Sequence, residues 1–238
     1  MCGRFTRFTP VADIAETFSA IASPVQLAQS FNIAPTQTIY VLQGVESRKL
    51  LEMRWGLVPS WSADTSRASS MINARVESVS EKPSFRSLLT RNRCVIPLNG
   101  YFEWKSQTQN GKSSSKQPYY FRAVTGSQYC HDGMLAIAGL WTAWGIGADT
   151  YVSCTALTTQ ASEQISAIHH RMPVLLNKQS IDVWLSDDAV VPIDDFAAVN
   201  DLRLDIHSVS KRVNSARIND SSLIDYEAIE ETEPLSIF

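Results

Sequence analysis

Cysteine is scarce in this chain. The four present, Cys2, Cys94, Cys130 and Cys154, lie too far apart for the paired spacing of a zinc site or for a small disulfide framework. No metal, no disulfide and no cofactor are therefore expected. Long apolar runs are also missing: no segment approaches the roughly 18 consecutive apolar residues of a membrane helix. Arg4 and Arg7 are not followed by the apolar stretch of a secretory signal. The expectation is a cytoplasmic, monomeric protein with no membrane partner. Charge is modest too, at 19% of 238 residues with a net value of −3, which as a sum argues against a polyanion partner. The distribution says otherwise. From Asp182 onward there are 13 acids and 4 bases (4 − 13 = −9), leaving 17 bases and 11 acids (17 − 11 = +6) before it. The first three quarters of the chain are basic, and Arg54, Trp55, Trp61, Arg67, Arg75 and the run Arg91-Asn92-Arg93 suit a groove that tracks phosphates and stacks bases.

What is present is a start of Met1-Cys2-Gly3-Arg4. Loss of the initiator methionine leaves a cysteine whose free amine and thiol sit on adjacent carbons. Such a 1,2-aminothiol attacks an aldehyde through nitrogen to give a Schiff base, then closes through sulfur to a thiazolidine. An α-amine with a reference pKa of about 7.7–8.0 is partly neutral near pH 7, so it is nucleophilic without a buried lysine's desolvation.

The pattern along the chain is mixed α+β, with many strands and no βαβ alternation. Thr9-Pro10 followed by Ile14, Phe18 and Ile21 predicts an amphipathic helix over 10–22. Strands are predicted at 38–43, 50–58, 93–104, 118–124, 134–141 and 151–157, where β-branched, aromatic and aliphatic residues concentrate. Helices are predicted at 160–168 and at 178–185, where Ile181, Trp184 and Leu185 share a face. The polar stretch 106–116 reads as a mobile hairpin loop. One domain over 1–238 is expected, acidic from about 182.

Three segments could serve an N-terminal cysteine. In 71–77, Asn73, Arg75 and Glu77 alternate onto one face if the segment is extended. In 99–105, Glu103 lies opposite Phe102 and Trp104, in aromatic surroundings that favour the protonated carboxyl. In 168–173, His169 and His170 end a predicted helix.

Taken in order, Met1-Cys2-Gly3-Arg4, Phe31-Asn32-Ile33-Ala34-Pro35, Arg54-Trp55-Gly56-Leu57-Val58-Pro59, Ile72-Asn73-Ala74-Arg75-Val76-Glu77, Gly100-Tyr101-Phe102-Glu103-Trp104 and Ile168-His169-His170-Arg171-Met172-Pro173 closely resemble the SRAP (SOS-response-associated peptidase) family. The likeness runs from Cys2 to at least Pro173 and continues more weakly to Asn219. It implies a single α+β SRAP domain, mainly antiparallel strands forming a barrel-like core with flanking helices, and a basic cleft for single-stranded DNA containing abasic sites. It makes Cys2 the nucleophile for the abasic aldehyde. By the same resemblance Asn73 orients the Cys2 amine and the sugar oxygen, Arg75 holds a flanking phosphate, Glu103 shuttles protons, and His169 handles the deoxyribose hydroxyl and crosslink reversal. Arg4 and Asn32 resemble cleft residues that hold DNA or shape the N-terminal pocket, and Trp55, Pro59 and Trp61 a wedge against the bases. His170 departs from the acidic residue usual after this histidine, which bears on how His169 is oriented.

Two other activities start from the same features. Class II glutamine amidotransferases also begin Met-Cys-Gly, but their following motifs and partner domain have no counterpart here. A peptidase cutting its own Met1-Cys2 bond or other peptides would use the same Cys2, Glu103 and His169. A non-covalent DNA-binding module is the remaining reading.

Overall fold

A computed structural model describes residues 2–229 except 46, 110, 111, 146, 148, 149, 189, 190 and 198–201. Its centre is a ring of five strands: β4 (Thr38–Gln43), β5 (Arg48–Trp55), β7 (Arg93–Leu98), β10 (Leu135–Trp144) and β11 (Tyr151–Gln160). Neighbours pair antiparallel around the ring, and a short parallel contact, Ser153 to Arg54 and Cys154 to Trp55, closes β11 onto β5. Closure leaves no bare strand edge within the ring. Three further strands join outside it, two of them β2 (Ala20–Ile21) on β5 and β12 (Arg171–Pro173) on β11. The third, β6 (Asn73–Arg75), runs parallel to β11.

A second, five-stranded antiparallel sheet has the order β13 (Leu204–Ser208), β9 (Lys112–Ala123), β8 (Gly100–Gln109), β1 (Phe5–Arg7), β3 (Ser30–Ile33). The expected continuous strand over 93–104 is in fact two, because the chain leaves the ring at Asn99 and enters the second sheet at Gly100. Asn99 makes the corner: its side-chain oxygen accepts from the Phe8 and Thr9 amides at 2.7 and 3.2 Å, and its amide donates to Thr9 Oγ1 at 2.7 Å. Gly100 is needed for close approach, since a Cβ there would meet the Tyr120 ring and hydroxyl at 2.4 Å.

Side chains on one face of the ring strands, including Ile39, Val41, Met53, Trp55, Ile96 and Ile137, form one core with Cys2, Phe5, Tyr101 and Phe121 of the second sheet's region. The opposite faces pack with Ile14 of α1 (Val11–Thr17), Val76 and Val79 of α2 (Val76–Val79) and Trp184 of α5 (Lys178–Leu185). The helix expected over 10–22 stops at Thr17, and 20–21 pair as a strand. The helix expected over 160–168 shrinks to α4 (Glu163–Ser166), because β11 runs on to Gln160. Helix α5 has the expected bounds and is capped by Asn177, whose side-chain oxygen accepts from the Ser180 amide at 2.8 Å. The polar stretch 106–116 is not a loop over its length: Ser106 pairs with Lys116 and Gln107 with Ser115, while 110 and 111 lie outside the described residues.

Candidate active site and nucleic-acid face

The second sheet carries Cys2 to the site. Phe5 pairs with Tyr101, and the Phe102 amide donates to the Arg4 carbonyl at 2.9 Å, so the chain before β1 runs antiparallel past Glu103. Strand β6, seated on β11, presents Asn73, whose Nδ2 donates to the Cys2 carbonyl at 2.9 Å. The Asn73 Oδ1 is buried and has no hydrogen-bond partner. Between α4 and β12, His169 Nδ1 accepts from the Arg171 amide at 3.0 Å, which in the neutral ring leaves the proton on Nε2. That Nε2 stands 3.8 Å from Glu103 Oε2. Cys2, Asn73, Glu103 and His169, distant in sequence, are thus neighbours.

Burial sets their chemistry. Cys2 is 1% and Glu103 2% exposed. Desolvation pushes the Cys2 thiol up, with the Glu103 charge adding to it, and pushes the Glu103 carboxyl above the ordinary carboxylate range. Desolvation also lowers His169, so its imidazole is neutral near pH 7. The His170 ring is exposed and stacks on His169 with centroids 4.5 Å apart, and His169 is the largest cause of its lowered pKa. The set therefore offers a carboxyl of raised pKa, a neutral imidazole and a carboxamide acceptor around one thiol.

Next to these groups a cavity of about 450 Å³ is lined by Arg75, Gln160, Ser166, His170 and Arg171, among others. Arg75 is exposed there. Glu77 does not share its face, because the chain turns into α2 after Arg75, and instead Glu77 takes Arg171 Nη1 and Nη2 at 2.6 and 2.9 Å. Trp61 is 67% exposed. Its loop is held by Trp144, whose indole donates to the Ser62 carbonyl at 2.7 Å.

Several residues expected to meet DNA are turned inward. Trp55 is 1% exposed, packs on Phe5 at 4.8 Å and donates its indole N–H to the Ile72 carbonyl at 2.9 Å, so it offers no stacking face. Pro59, four residues on, is buried as well. Asn32 is a latch: its amide donates to the Ser215 and Ile218 carbonyls at 3.0 and 2.7 Å, and its oxygen accepts from Arg4 Nη1 at 2.6 Å. Arg4 also donates to the Val213 carbonyl at 2.7 Å, so the pair shapes the N-terminal region. Arg93, expected among groove cations, is buried and donates to the carbonyls of Trp184, Leu89, Thr90, Ser186 and Asp188. Residue type sets what a side chain can bind, but the backbone around Trp55, Asn32 and Arg93 sets which way it points, and there it points inward.

A family model described as SOS response associated peptidase (SRAP) matches residues 1–216. The chain belongs to that family. Among its SRAP relatives, abasic site processing protein YoqW of Bacillus subtilis (strain 168) is 34% identical over 236 residues, covering 94% of this chain and 99% of the relative. Abasic site processing protein HMCES of Gallus gallus is 32% identical over 203 residues, covering 75% of this chain and 58% of the relative. A crystal structure of a protein from Bacteroides thetaiotaomicron has the same fold, with a TM-score of 0.80 at 21% identity over 95% of this chain and all of that one. Among the described residues no helix is long and apolar enough to cross a membrane, and no group of three or more potential ligands is placed to hold a metal.

Proposed function

We propose that this protein processes abasic sites in single-stranded DNA by forming a covalent crosslink through Cys2. With Met1 removed, the Cys2 amine adds to the ring-opened aldehyde of the lesion to give a carbinolamine. Loss of water gives the imine, and the Cys2 sulfur then adds to the same carbon while its proton passes to nitrogen. The product is a thiazolidine plus one water. The observation that carries this reading is the Asn73 contact at 2.9 Å to the Cys2 carbonyl, which holds the nucleophile's own backbone beside Glu103 and His169. The partnerless Asn73 oxygen is an acceptor for the amine's N–H groups.

Glu103, raised by burial, supplies the proton that the departing hydroxyl needs and takes it back on reversal. Neutral His169 donates its Nε2–H to the deoxyribose hydroxyl oxygen. Arg75 and exposed Trp61 supply a phosphate contact and a stacking face. The names of the relatives above support abasic DNA as the substrate. Self-processing by the same residues accompanies the crosslinking reading: the Cys2 sulfur adds to the Met1 carbonyl, the departing Cys2 amine takes the thiol proton, and water hydrolyses the resulting thioester to free Met1.

The test is intact mass and denaturing electrophoresis after incubation with abasic single-stranded DNA. Wild-type protein should gain the oligonucleotide mass less one water. Cys2→Ala should bind the strand and form no adduct. An adduct of that variant, formed as readily as by wild type, would sink the reading.

A further inference from the structure

We propose that Tyr101 is a further catalytic residue of this site, its hydroxyl donating a hydrogen bond to the aldehyde oxygen as the Cys2 amine adds. The inference rests on the crosslinking reading above. Tyr101 and Glu103 are two apart on β8, so their side chains leave the strand on the same face, and Tyr101 belongs to the same packed cluster as Cys2. Its ring is fully buried and lies flat on Phe121, with centroids 4.8 Å apart and planes 8° from parallel. That stacking fixes where the hydroxyl points.

The hydroxyl itself has no hydrogen-bond partner. Buried polar groups are nearly always paired, so an orphan in a well-packed core calls for an explanation. Its contrast is Tyr120 on the next strand, equally buried, whose hydroxyl shares a 2.8 Å hydrogen bond with Thr6. Phenylalanine would fill the place of Tyr101 with the same ring and no desolvated oxygen. Burial, with nearby Cys2 and Glu103 adding to it, holds the Tyr101 proton on oxygen, so it stands there as a donor.

When the amine nitrogen bonds to the aldehyde carbon, the C=O pair moves onto oxygen. That oxygen needs a donor at once and a proton before it leaves as water. Tyr101 stabilises the developing negative charge by donation without giving up its proton, and the Glu103 carboxyl delivers the proton. Atoms balance as in the uncatalysed reaction, and tyrosine ends as it began.

The experiment is Tyr101→Phe, measured three ways: single-turnover crosslinking of an abasic oligonucleotide, affinity for the same strand without the lesion, and thermal melting. Crosslinking should slow by about 10²–10³-fold, the loss typical for one donor at a developing oxyanion. Affinity should not change, and the melting temperature should be equal or higher, because an unpaired buried oxygen has been removed. A purely structural hydroxyl gives the opposite pair, a lower melting temperature and an unchanged rate, and that result overturns the proposal. A variant that crosslinks at the wild-type rate overturns it while leaving the crosslinking reading intact. Wild-type protein that forms no adduct at all overturns both.

Discussion

Arg171 donates from both terminal nitrogens to the two carboxylate oxygens of Glu77, at 2.6 and 2.9 Å, and the second nitrogen also reaches the Thr158 carbonyl at 2.6 Å. The guanidinium is nearly buried while the carboxylate is half exposed. This fork ties α2, which follows the Asn73 strand, to β12, which follows His169, and so fixes the two halves of the site against each other.

Removing the carboxylate strands a buried cation. Glu77→Ala should destabilise the protein by about 1–3 kcal/mol in urea unfolding. The Arg171 hydrogen bonds hold the Glu77 carboxyl below its ordinary range. A depressed carboxylate contributes stability above its unfolded pKa and loses it as pH falls through the folded one. The gap between wild type and variant should therefore shrink below about pH 4.3, the reference value for glutamate. A gap that is constant from pH 7 to pH 3 would show that the ion pair is not what the substitution removed.

The two tryptophans near the ring opening should behave in opposite ways. Trp61→Ala should weaken single-stranded DNA binding by about 1–3 kcal/mol, the loss of one stacked base, and leave melting nearly unchanged. Trp55→Ala empties a core position and loses the bond to Ile72, so about 3–5 kcal/mol of stability should go. Equal stability losses in the two variants would contradict their placement.

Glu103 gives a pH signature. Burial raises its folded pKa, so its contribution is full below the unfolded value and is lost as pH rises through the folded one. Glu103→Gln is neutral at every pH, and its melting temperature should improve relative to wild type as pH rises. Crosslinking by the same variant should fall by about 10²–10⁴-fold and lose the pH limb that Glu103 supplies. Parallel melting curves at all pH values would mean that the carboxyl is not desolvated as described.

Sequence pattern carried some of this and not the rest. Helix α5 was legible because Ile181, Trp184 and Leu185 share a face at helical spacing, and the Asn177 cap became visible only in the structure. The break at Asn99 was hidden, since the residues on both sides favour strands and only the partner strand tells the sheets apart. The polar stretch from Ser106 was misread because pairing across a hairpin is backbone chemistry, indifferent to serine and glutamine. At the site, the resemblance pointed to Cys2, Asn73, Glu103 and His169, but nothing in their spacing foretold that a parallel β6–β11 contact would bring Asn73 onto the Cys2 carbonyl. Trp55, Asn32 and Arg93 were attractive as ligand contacts for their chemistry and were claimed by the interior. Arg171 was quoted within a motif, yet its role needed Glu77 from another one.

Strand β1 begins at Phe5, only three positions after the nucleophile. Three residues of chain reach about 10 Å at most, and the Asn73 contact takes up part of even that. The aminothiol is not a tail that searches for its target. On the crosslinking reading, a damaged strand must be bent or opened until its aldehyde comes to a fixed point, so a lesion locked in a stiff duplex pays a deformation cost that one in a slack single strand does not. Shape selection of this kind comes from the shortness of a tether and needs no contact with any base.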